Sequence, residues 1–153
     1  MIELTATAAL TLGSALLLAY WFRYSCILIL NAQTARDYAR VVALDNQLAF
    51  REVQSQLPHC QPEDFRRLEQ ALERDYAVVQ ALLGRIQQHE SILQSGLQTG
   101  LETGMLHLYY RLQRVWFSLS RGLSADAARQ ALSEMCLVVG HFANGVGEAA
   151  ATA

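Results

Sequence analysis

The chain has 153 residues, enough for one modest hydrophobic core, and 52% of them are hydrophobic. A formal net charge of -2 with a pI near 6.1 argues against bulk nucleic-acid binding, which needs a basic face. All 12 basic residues are Arg, so Walker-type phosphate binding and Schiff-base chemistry, both of which use Lys, are excluded.

The first element is an apolar run. Leu4 to Phe22 is free of charge, and as a helix these 19 residues span about 28 Å, close to the hydrocarbon core of a bilayer. The run ends in Tyr20, Trp21, Phe22 and Arg23. Aromatic rings favour the membrane interface and an Arg there snorkels to the headgroups, so these four residues read as the membrane boundary. A cleaved signal needs a basic start and a small-x-small site; Met1-Ile2-Glu3 and Arg23-Tyr24-Ser25-Cys26 supply neither. A retained single-pass anchor over residues 1–31 is the expectation, against a buried core helix or a cleaved signal. Thr5, Thr7, Thr11 and Ser14 weigh against it by making the first half only mildly apolar. Arg23, Arg36 and Arg40 follow the run and no Arg precedes it, which predicts a cytoplasmic body with the N-terminus outside. Three scattered cysteines, Cys26, Cys60 and Cys136, form no disulfide framework and fit a reducing compartment.

Residues 32–147 read as a three- or four-helix bundle and 148–153 as a flexible tail, so the fold class is all-α. No period-two strand pattern occurs. Ala32 to Leu57 reads as one helix with Thr34 and Asp37 in a capping arrangement. "LPHCQPED" is the clear loop. A long helix follows, in which Phe65, Leu72, Val79, Ile86 and Leu93 recur every seven residues as one buried seam. In a third helix, about Leu97 to Arg121, Leu101, Met105, Leu108, Leu112, Val115 and Leu119 recur in steps of four and three. Gly122 is its stop, and Ser124 caps a fourth helix with Leu132, Met135, Val139 and Phe142 inward. Gly140, Gly145 and Gly147 suggest fraying toward the tail.

Two candidate interaction surfaces stand out. Gly96, Gly100 and Gly104 share one helix face and permit close backbone approach. That row reads as internal packing, as a flexible loop, or as an intermolecular interface. Tyr109, Arg111, Arg114 and Trp116 lie in the most basic stretch of the body. They fit a partner surface or an anionic membrane, or else aromatic core with solvated arginines.

His59, His89, His107 and His141 lack metal-ligand spacing, and no catalytic triad has local support. No metal, cofactor or catalytic residue is assigned. The expected function is a non-catalytic, membrane-anchored accessory, scaffold or assembly subunit of a bacterial type. Its partners would be lipid and either other membrane-complex subunits or itself. The alternatives are a ligand- or haem-binding bundle acting as sensor or carrier, with one His as axial ligand, and a self-assembling helical membrane oligomer.

Overall fold

The computed structural model describes residues 1–32, 37–90 and 96–152, without the side chains of residues 2, 4, 87–90, 96–99 and 152. The described residues form six α-helices, two short 3-10 turns and no strand. They divide into two compact units, Met1–Gln33 and Thr34–Ala153.

The first unit is helix α1, Ile2–Asn31, 30 residues long. It runs through Arg23 without a break. Its stretch from Thr5 to Asn31 is long and apolar enough to cross a membrane. The threonines cost this helix less than their composition implies. The hydroxyls of Thr5, Thr7 and Thr11 donate to the carbonyls of Met1, Glu3 and Thr7, each one turn back. A hydroxyl satisfied inside its own helix leaves no polar group demanding water. Tyr20 and Tyr24 stack along one face, with centroids 6.4 Å apart.

The second unit begins with a difference from the expected single helix. Two short helices, α2 (Ala39–Asp45) and α3 (Phe50–Gln56), replace it. Thr34 lies outside the described residues. The break is a C-terminal cap in which Leu48 N–H donates to Ala43 O and Gln47 N–H to Leu44 O. That pattern needs a left-handed residue, and Gln47 supplies it at φ 53°. Glycine ordinarily fills this position, so the sequence carries no visible stop signal.

Each short helix has its exposed N–H groups satisfied from afar rather than by a local cap. The Asn144 side-chain oxygen accepts from the N–H groups of Tyr38 and Ala39, at 2.8 and 3.3 Å. Asp75 accepts from the N–H groups of Ala49 and Phe50. An acceptor at a helix start is worth about 1 kcal/mol whichever element supplies it.

After 3-10 turns at Leu57–His59 and Pro62–Asp64 come the three long helices, α4 (Phe65–Glu90), α5 (Gly96–Ser120) and α6 (Ala125–Thr152). Pro62 starts its turn because its missing N–H costs nothing there. In α4, Phe65, Leu72 and Val79 are fully buried and Ile86 is half-buried. Leu93 lies outside the described residues. Helix α6 is central: it packs against α2, α3, α4 and α5. Ala128, Leu132, Met135, Val139 and Ala143 give it a buried face. Phe65 meets Phe117 edge-on at 6.3 Å, which ties the start of α4 to α5.

Helix α6 also corrects the expected frayed end, since it stays helical through Thr152. Two of its glycines serve close approach. A Cβ on Gly147 would lie 2.4 Å from Tyr38 Cβ, and one on Gly140 would lie 3.3 Å from the Phe50 ring. Gly145 meets nothing within 4 Å. Two neighbouring changes should therefore differ in sign. Gly145→Ala should stabilise by up to about 1 kcal/mol through helix propensity. Gly147→Ala should destabilise by about 1–3 kcal/mol, because the start of α2 must move. Thermal melting of the two variants checks this, and equal shifts would contradict the close-approach role.

Candidate functional site

Helix α5 carries most of the residues singled out in the sequence, and the structure sorts them onto two faces. Leu106, Tyr109, Tyr110, Gln113, Phe117 and Ser120 are buried. Tyr109, read above with the interaction surface, is 2% exposed and turns into the body. Its hydroxyl donates to Glu134 on α6, as does the Gln113 amide. Gln130 donates to the second carboxylate oxygen at 3.0 Å. Glu134 is buried and accepts from all three of these side chains. A carboxylate needs such donors to be buried at tolerable cost.

Beside this cluster lies an aromatic stack. Tyr76 lies parallel to Tyr110 at 3.8 Å, and its hydroxyl shares a hydrogen bond with His107 Nδ1. Phe142 closes against the His107 ring at 5.1 Å. Arg114 reaches back to α4, pairing with Glu73 and lying 4.0 Å from Glu69. The arginine is thus tied to its own body. Arg111 is exposed.

The outward face is apolar. Leu101, Leu108, Leu112, Val115, Trp116 and Leu119 are all exposed; Leu101 reaches 70% and Trp116 55%. The row in steps of four and three is therefore a surface stripe, and a different set of α5 side chains fills the core. Gly100 and Gly104 lie within helix α5 with open space where a Cβ would project, so they are neither a loop nor internal packing. Gly96 is the first residue of α5, and its surroundings lie outside the described side chains. Tyr20, Trp21, Phe22 and Arg23 occupy consecutive positions in the apolar helix α1, where Tyr20 and Trp21 are exposed.

Among the described residues, no group of three or more His, Cys, Asp or Glu side chains is placed to hold a metal ion. All three cysteines are unpaired. Burial pushes the Cys136 thiol up to about 12 and raises Cys60 as well, with Asp64 adding to the second. Neither is a ready nucleophile. Comparison with protein-family models, curated proteins and solved structures gave no match.

The titratable groups give the body a pH signature. Burial, then the Arg111 guanidinium, holds His107 below the ordinary imidazole value. Burial does the same to His141, with Glu102 pulling the other way. An imidazole kept neutral by the fold contributes stability above the unfolded value of about 6.5, and loses it as pH falls through the lower folded values. Melting temperature should therefore drop between pH 7 and pH 5. Glu69 and Asp75, raised mainly by burial, act oppositely and restore some stability at still lower pH. Replacing both histidines with Gln should flatten the neutral-to-acid slope. A flat profile in the parent chain would contradict this assignment.

Proposed function

We propose that the protein is a non-catalytic, membrane-anchored scaffold or accessory subunit of a larger membrane assembly. Its body would be a helical bundle held at the cytoplasmic face by α1. The observation that carries this reading is α1 itself, a helix long and apolar enough to span a membrane. The hydroxyls turned back into α1 support it, since they remove the main compositional objection to an anchor. The outward stripe of α5 supports a docking role, because a soluble surface rarely leaves so long an apolar row open. Orientation rests on Arg23, Arg36 and Arg40 following the apolar run.

The mechanism is positional. The anchor confines the body to two dimensions, which raises its effective concentration toward anything docking on α5. The test is gentle detergent extraction at native expression level. The parent chain should migrate in an assembly larger than a single chain in its micelle. Leu108→Glu with Leu112→Glu should release it without removing it from the membrane. A parent chain that runs alone would contradict the reading.

A further inference from the structure

We infer that the outward stripe of α5 pairs with the same stripe of a second copy, antiparallel, about a two-fold axis level with Tyr110. This rests on the docking role proposed above and adds the identity of the occupant.

The stripe is narrow. Leu101, Met105, Leu108, Leu112, Val115 and Leu119 fall within about 80° of the helix circumference at roughly 100° per residue. A face lying on a membrane is broader, whereas a two-in-seven row is the seam that one helix offers another. The exposed row runs about 27 Å along α5.

The order of the residues then provides a register in which a second copy fits. A two-fold axis at residue 110 sets Leu101 against Leu119, Met105 against Val115, and Leu108 against Leu112. Every residue of the seam thus meets another of the seam. An isologous interface requires this self-complementarity. On one flank, Gly104 has open space at its Cβ position, so nothing there blocks a second helix. On the other, Trp116 is exposed beside the seam and extends the apolar area.

The area suffices. At their present exposures the five aliphatic side chains other than Met105, together with Trp116, present on the order of 600 Å², the upper end of what a monomer leaves open. Burying that patch on both copies removes on the order of 1,200 Å², where specific interfaces begin. The charge pattern adds a signature. Arg111 flanks the seam near the axis in both copies, so high salt should leave the pairing intact or tighten it. Docking on anionic lipid should weaken with salt.

The test is disulfide trapping of the full chain in its own membrane, with an oxidant and with the parent chain as background for the native cysteines. Leu101→Cys and Leu119→Cys are exposed, so neither should cost folding. On one helix they lie too far apart to bridge each other. The double variant should form a covalent dimer, at high salt as well as low, and Leu108→Glu added to it should remove the dimer. Leu101→Cys alone should give background only. A dimer from Leu101→Cys alone at equal yield would mean parallel pairing and overturn the inference. So would no dimer, in either of two forms. If both cysteines react freely with a soluble maleimide, the stripe is open; if they are protected, another subunit or lipid covers it. In that last case the scaffold reading survives and the second copy does not.

Discussion

Leu72→Ala should lower the stability of the helical body by about 2–5 kcal/mol, the cost of emptying a fully packed core site. Leu72 has no exposed surface and lies between Phe65 and Val79, one heptad away on either side and equally buried. A domain of this size has only about 5–15 kcal/mol in total, so the melting point should fall visibly. Ile86→Ala should cost less, because Ile86 is half-buried and its site already touches solvent. The seam is internal to the body, so the loss should not depend on protein concentration. Thermal melting of the full chain in detergent at several concentrations measures both quantities. An unchanged melting point for Leu72→Ala would remove the basis for packing α4 through this seam.

Leu16→Arg should remove the chain from the membrane or leave it misinserted. Leu16 is exposed in the middle of the apolar run of α1. A charge at mid-span costs about 2.5–3.5 kcal/mol on the insertion scale. Arg23 does not carry that cost, because it follows three aromatic residues where a long side chain reaches the headgroups. Moving the charge seven residues toward the centre tests the boundary as well as the anchor. Fractionation of cells expressing each variant checks it, with Leu16→Ile as the apolar control. Equal membrane retention of the Arg and Ile variants would contradict an inserted α1.

The sequence made the long helices legible and left their orientation partly hidden. Helix α4 was readable because Phe65, Leu72, Val79 and Ile86 recur on one side, with Leu68 and Leu83 beside them, and the charged residues fall mostly elsewhere. Helix α5 was not, because it has two apolar faces. Leu106, Tyr109, Tyr110 and Phe117 form one, and the leucine stripe forms the other. Periodicity detects both and ranks neither. The aromatic face went inward because Glu134 supplies the polar partner that Tyr109 needs, and Tyr76 gives Tyr110 a ring to stack on. Those partners lie on other helices, out of reach of any local pattern.

The same limit explains the misread segments. The break between α2 and α3 sits on a left-handed Gln47, and the caps of both helices come from Asn144 and Asp75 far along the chain. Gly147 looked like a fraying signal because glycine weakens helices. Its actual use, contact with Tyr38, is a tertiary fact. Two of the donors to Glu134, Tyr109 and Gln113, lie on α5, out of reach of any local pattern, whereas Gln130 is one turn away on α6 itself.

The anchoring and docking roles both depend on α1 lying in a membrane. The most direct measurement is fractionation of the full chain after an alkaline carbonate wash, followed by protease treatment of intact and lysed cells. The expected result is retention in the membrane pellet at full length, with the body protected in intact cells and digested on lysis. Release of intact chain into the carbonate supernatant would contradict the account.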